Sequence, residues 1–271
     1  MSSKLEKLRQ IKERINIEVN GRDYCDNKKV NIFVANHNCL KDGFYLPMAL
    51  DKDISSLISS RLIYKDIKER KKLVNECLYA LPIEAHGGSV YLDICLQAGI
   101  KMIESGIDIS IFPEGAYIED DIIHRGRTGA IRILFNAVTD KVDVNLIPVA
   151  IDVDKENTDL DSYSFHDDKV VVSFLEPIEY MADYEKYMST SNLETKNECL
   201  HSVMDTSFRN IAEALQKKYD NTYIELFPKN NVIFSNGVVL PTDLAQSSYY
   251  TERYKYEVDS KVKQYIKEIK G

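Results

Sequence analysis

Apolar and polar positions alternate along this chain in two periods, and the switches between them outline short strands and amphipathic helices. Residues 3–16 put Leu5, Leu8, Ile11 and Ile15 on one helical face. VNIFVAN (30–36) is rich in β-branched and aromatic residues and reads as a strand, with a helix starting over 42–50. ISSLISSRLIY (54–64) reads as a strand or strand-turn, KDIKERKKLVNECLYAL (65–81) as a basic helix and LPIEA (81–85) as a short strand. SVYLDICLQAGIKMIESG (89–106) has helical periodicity and stops at Gly106, a C-cap residue. DISIFPEG (108–115) is a strand ending in a turn, GAIRILFNAVT (129–139) a helix, and VNLIPVAID (144–152) and KVVVSFLEPI (169–178) are strands.

Strand and helix in alternation predict an α/β domain with a mixed, largely parallel central sheet flanked by helices. Ligands of such sheets collect at the carboxyl ends of the strands. After residue 185 the rhythm changes. A helix over 192–220, a hairpin over 231–241 turning at Asn236-Gly237 and a charged, Tyr-rich helix over 249–270 follow. The expected organisation is a catalytic domain, 1–185, with a mainly helical extension, 186–271, packed on it.

Composition narrows the function. The 271 residues carry 44% hydrophobic and 29% charged residues, ordinary for a globular protein, with a net charge of −8. That balance argues against a nucleic-acid partner, which needs a basic face. It also disfavours broad adhesion to an anionic membrane, leaving at most peripheral contact. Five scattered cysteines form no CxxC pair, so no metal site is expected, and their odd number suits reduced thiols in a cytoplasm. The start of the chain lacks a signal-peptide core, and no apolar run reaches the length of a membrane span. Three segments keep two readings each. The helix over 3–16, with five Lys/Arg against two Glu, is either packed on the domain or an interfacial anchor. The basic helix over 65–81 is either a solvated face or a surface for an anionic ligand or carrier protein. The terminal tyrosines are either core or a binding surface.

Two polar turns carry the candidate chemistry. In FVANHNCLKDGFYL (33–46), His37 and Asp42 follow directly from a strand. A carboxylate that accepts a bond from one imidazole nitrogen fixes the tautomer and frees the other nitrogen to take a proton. In IFPEG (111–115), Pro113 and Gly115 bracket Glu114 at a second strand end, a rigid presentation of a carboxylate. Both turns follow strands of one parallel sheet, so they point to one shared site. Pro148 interrupts a later strand, as expected of an edge or a bulge.

These motifs, in this order, resemble the glycerolipid acyltransferases typified by lysophosphatidic acid acyltransferase. The ordered blocks are Asn36-His37 with Asp42, a middle block near LPIEAHGG, Phe112-Pro113-Glu114-Gly115 and Ile147-Pro148-Val149, spanning roughly 30–180. The resemblance implies transfer of a fatty acyl group from coenzyme A or acyl carrier protein to a lipid-like acceptor. His37, held by Asp42, would be the general base, with no acyl-enzyme and no cofactor beyond the donor. A backbone N–H in the turn after His37 would serve the oxyanion, and Cys39 would be incidental. Asn36, Glu114, Gly115 and Pro148 fall at the family's substrate-side motif positions.

Two departures bear on the acceptor. The family commonly has an Arg in the middle block and Thr-Arg-Ser after FPEG, both arginines being linked to the acceptor phosphate. Here Ala85-His86-Gly87 and Ala116-Tyr117-Ile118 stand there, and neither His nor Tyr replaces the planar guanidinium fork. Either Arg125 and Arg127 compensate, or the acceptor lacks a phosphate. His86 is a remaining polar contact or a structural turn residue. The short N-terminal lead and the acidic stretch 152–168 favour a soluble or loosely peripheral enzyme. A lysophospholipid and a non-phosphate acceptor, such as an amino-lipid or metabolite precursor, therefore compete. A non-catalytic lipid- or carrier-binding module is the reading of another class, and it has no use for a histidine–carboxylate pair.

Overall fold

The most apolar runs become the interior of one sheet. The computed structural model describes residues 2–25, 28–84, 89–117, 120–156, 158–160, 163–224 and 231–271. It opens with α1 (Ser3–Lys12), β1 (Asn16–Asn20), β2 (Val30–Ala35) and α2 (Asp42–Leu50). Then come β3 (Ser55–Ser59), α3 (Ser60–Tyr64), α4 (Lys68–Cys77), β4 (Tyr79–Ile83), α5 (Ser89–Glu104) and β5 (Ile109–Ile111). β6 (Ile122–His124), α6 (Gly129–Thr139), β7 (Val144–Val153) and β8 (Lys169–Phe174) complete the sheet region. The remainder is α7 (Met181–Ser189), α8 (Leu193–Ala214), β9 (Lys218–Asp220), β10 (Asn231–Ile233), β11 (Val239–Pro241), α9 (Thr242–Ala245) and α10 (Ser248–Lys270).

Seven strands lie in the order β1-β8-β7-β2-β5-β3-β4. From β7 to β4 all neighbours are parallel; β8 runs antiparallel to β7, and β1 runs with β8. This is the mixed, largely parallel sheet expected. β2 sits between β7 and β5 and is covered on both faces, which is why apolar residues fill both of its faces apart from the buried Asn31. Its side chains alternate between two cores. Ile32 and Val34 join α5, α6, α8 and α10, whereas Phe33 and Ala35 join α2 and Leu8 of α1.

Residues after 185 help fill the first of these cores. Leu200, Met204 and Phe208 of α8 and Tyr254, Val258 and Val262 of α10 are buried there. The edge-to-face pairs Tyr91–Tyr254 and Tyr79–Tyr265 tie α10 to α5 and β4, so several terminal tyrosines are core residues. β10 and β11 form the expected hairpin, with Gly237 N–H closing its turn on Phe234 O.

α1 packs through Leu5 and Leu8, and its cations are engaged locally. Lys7 pairs with Glu76 at 2.9 Å, Arg9 with Asp51 at 2.7 Å, and Lys12 donates to Met48 O at 2.8 Å. That geometry matches the packed-helix reading. Among the described residues no helix is long and apolar enough to cross a membrane.

Several boundaries differ from the periodicity. The first helix ends at Lys12, and Asn16–Asn20 forms an edge strand whose alternation is half-exposed and weak in sequence. Ser60–Tyr64 is helical, because a turn there buries Ile63 and Tyr64 together. The helix expected to 220 stops at Ala214, and Lys218–Asp220 pairs with β6. Pro148 marks neither an edge nor a bulge: β7 is interior, with Pro148 opposite Val34. The β7–β8 ladder begins one residue later, at Val149 opposite Phe174, so the proline lies just outside that pairing.

Candidate active site

β2 delivers Asn36 and His37 to the carboxyl end of the sheet, and the chain turns at once into α2, whose first residue is Asp42. β7 holds the turn from one side. Asn36 Nδ2 donates to Ile151 O at 2.9 Å, and its Oδ1 accepts from Ile151 N at 2.8 Å. Asn38 Nδ2 donates to the same carbonyl at 2.6 Å. Asn36 is thus a buried clamp between strand end and sheet.

Asp42 is fully buried and stands where a helix N-terminus favours negative charge. Its Oδ2 accepts from His37 Nδ1 at 2.8 Å, Asn38 N at 2.6 Å and Cys39 N at 2.9 Å. Cys39 Sγ donates to Oδ1 at 3.3 Å. Burial, reinforced by Asp42, pushes the Cys39 thiol far up, which suits no nucleophile. The His37 ring keeps 21% exposure. It lies between Phe112, at 5.0 Å between centroids, and Tyr117, at 5.4 Å. With the Nδ1 proton donated to Asp42, Nε2 holds a lone pair that can accept a proton.

Glu114 joins the second motif to the first. Gly115 takes a φ of 82°, open to glycine, and its N–H closes the turn on Phe112 O at 3.1 Å. Glu114 is 4% exposed. Its Oε1 accepts from His37 N at 2.8 Å and its Oε2 from His124 N at 3.3 Å. Burial pushes its pKa up to about 7 against the bonds from His37 and His124, which pull it down. Both oxygens therefore contact the protein, and Glu114 holds the His37 backbone in place.

A pH dependence follows. The folded pKa of about 7 lies above the usual value of 4.5, so between these the folded state binds the extra proton and stability falls as pH rises. Glu114→Gln keeps an acceptor and removes the charge. Its stability relative to the parent should rise by up to ~3 kcal/mol between pH 4.5 and 8, measured by denaturant unfolding at both pH values.

The amides of the turn are engaged. His37 N meets Glu114, Asn38 N and Cys39 N meet Asp42, and Leu40 N meets Leu160 O at 3.3 Å. The expected oxyanion donor after His37 is therefore not among amides 37–40 in this conformation.

Arg125 and Arg127 flank the FPEG turn, with their guanidinium groups held by the C-terminal region. Arg125 makes paired bonds to Asp205 on α8, Nε to Oδ1 at 2.8 Å and Nη2 to Oδ2 at 2.6 Å. Arg127 N donates to Pro113 O at 2.8 Å and its Nη2 to Ile224 O at 3.1 Å. Both stack on Tyr223. Between them, Gly126 sits where a Cβ would approach Met204 Sδ and Phe208 Cε2 to 2.8 Å and Pro113 Cβ to 2.9 Å. Gly126→Ala should therefore lower stability by ~1–3 kcal/mol through overpacking, read as a lower denaturant midpoint at unchanged m.

His37, Asp42 and Glu114 come together as expected, with Asn36 behind them; Pro148 is buried in the sheet and His86 lies outside the described residues. Two residues escaped the sequence reading. Tyr117 stood out only as a missing arginine, yet its ring lies on His37. Lys41, inside the motif, is wholly buried against Asp168. A lysine between Leu40 and Asp42 beside a buried strand was the available signal.

A sequence model of the acyltransferase family matches residues 16–152 of the 271. No curated protein matches the chain in sequence. Among solved structures, the crystal structure of the 1-acyl-sn-glycerophosphate (LPA) acyltransferase PlsC from Thermotoga maritima is similar in fold. Its TM-score is 0.51 at 17% identity, covering 80% of this chain and 81% of that one.

Proposed function

This chain belongs to the acyltransferase family, and from that premise we propose that His37, held by Asp42, is the general base for transfer of a fatty acyl group from a thioester donor to a hydroxyl or amine acceptor. The donor is acyl-coenzyme A or acyl carrier protein, and the acceptor a lyso-lipid. The observation that carries the proposal is the 2.8 Å bond from His37 Nδ1 to a fully buried carboxylate, beside a partly open ring. Nε2 takes the acceptor's proton as its oxygen or nitrogen attacks the thioester carbonyl. The thiolate then leaves and the imidazolium returns a proton to it. No protein nucleophile takes part.

The resemblance to a lysophosphatidic acid acyltransferase favours a lysophospholipid acceptor. Tyr117 on the His37 ring favours the second reading, an acceptor without a phosphomonoester. The test is thiol release from an acyl thioester with and without lyso-lipid acceptors. Release that rises with acceptor and matches acylated product supports transfer; release indifferent to acceptor contradicts it.

A further inference from the structure

The first turn of α2 carries a second buried ion pair beside the dyad. Lys41 caps α2, and its side chain is 0% exposed against 1% for Asp168. Lys41 Nζ donates to Asp168 Oδ1 at 3.0 Å, lies 2.9 Å from Oδ2 and donates to Ser164 O at 3.0 Å. Tyr45 OH donates to Asp168 Oδ2 at 2.9 Å. The ammonium also lies over the Phe165 ring at 5.5 Å. Asp168 O accepts from Asn16 N at 2.7 Å, which fixes the pair to β1.

An ammonium this deep is costly unless an anion meets it. Lys41 directly precedes Asp42 at the start of α2, so the dyad's carboxylate is the neighbouring anion along the chain. An ammonium on Asp42 would draw the carboxylate from His37 Nδ1 and place positive charge where the imidazolium must form, weakening the base. We propose that Lys41 and Asp168 are a positioning pair for the dyad: Asp168 holds the ammonium off Asp42 and ties the loop before β8 to the turn that carries His37. The loop adds its own contacts, Leu40 N to Leu160 O at 3.3 Å and the edge-to-face pair Phe44–Phe165 at 5.4 Å.

His37 faces Asp42 from α2, Glu114 from the FPEG turn, and the Phe112 and Tyr117 rings. The pair faces Cys39, Tyr45, Ser164 and Phe165. Among the described residues, Asp168 is the carboxylate paired with Lys41, and its side chain also accepts from Tyr45.

This proposal rests on the His37 assignment above, so its test reads the imidazole and not turnover. The His37 ring signal, assigned by its loss in His37→Ala, is titrated by NMR in the parent, Asp168→Asn, Lys41→Met/Asp168→Asn and Tyr45→Phe. Asp168→Asn should lower the His37 midpoint by about one unit, the scale of one unbalanced charge nearby in a protein interior. Removing the ammonium as well, in the double variant, should return the midpoint to that of the parent. Tyr45→Phe keeps both charges and loosens the tether, so it should move the midpoint the same way by less; it carries the test if Asp168→Asn does not fold. An unchanged midpoint in Asp168→Asn, or in Tyr45→Phe in that event, overturns the proposal. A downshift that persists in the double variant overturns it too. Failure of the acyl-transfer reading would show instead as no thiol release from the parent, leaving this comparison valid.

Discussion

His37→Ala should lower acyl transfer by ~10²–10⁴-fold, the range for losing a positioned acid–base group, while the fold stays intact. The ring is partly exposed between Phe112 and Tyr117, and among the described residues its one polar tie is to Asp42. Its loss opens no deep cavity. Asp42→Asn should impair turnover as strongly by a different route. An amide can present its NH₂ to Nδ1, which stabilises the wrong tautomer and puts the proton on Nε2. Asp42 also holds the amides of Asn38 and Cys39, so this variant should lose ~1–3 kcal/mol of stability where His37→Ala does not. Comparing kcat with thermal unfolding for both separates chemistry from folding. Near-parental turnover in folded His37→Ala would remove His37 from the mechanism.

The second large effect concerns the acceptor. A phosphate buried without a cation is costly, and Arg125 is engaged with Asp205 while Arg127 reaches Ile224 O. The ring of Tyr117 occupies the ground beside His37. A panel of acceptors competing for one acyl thioester should therefore favour those without a phosphomonoester over lysophosphatidic acid. Tyr117→Arg should raise relative use of lysophosphatidic acid by ~10-fold or more, the scale of one charge-assisted bond. Arg125→Ala and Arg127→Ala should change stability and leave the ranking alone. If lysophosphatidic acid wins in the parent, and either arginine variant selectively raises its KM, the phosphate is held by those arginines and Tyr117 is not the discriminator.

The sheet was legible because β2, β5 and β7 are buried on both faces, so apolar residues dominate them, with Asn31, Ser110 and Asn145 as buried polar exceptions. α6 was legible to its boundaries because one face is wholly apolar. β1 and β6 were not, since an edge strand and a three-residue bridge need little sequence of their own. The dyad could be read because His37 and Asp42 are local, five residues apart across one turn. The strand-end turn that carries Glu114 was legible, but its partners were not, because its bonds to the His37 and His124 amides depend on tertiary register. The same holds for Asp168, which the sequence shows only as one member of an acidic stretch and which is buried against Lys41. Long-range polar pairs leave no periodicity, so sequence shows the members without the pairing.

Direct transfer from thioester to acceptor with His37 as base requires that no acyl group rest on the protein. One experiment tests it most directly: purified protein, acyl thioester and acceptor, with free thiol, acylated acceptor and intact protein mass followed together. The expected result is thiol and product in equal amounts, both requiring acceptor, both suppressed in His37→Ala, with the protein mass unchanged throughout. An acyl group accumulating on the protein, or product formed at the parental rate by His37→Ala, would contradict it.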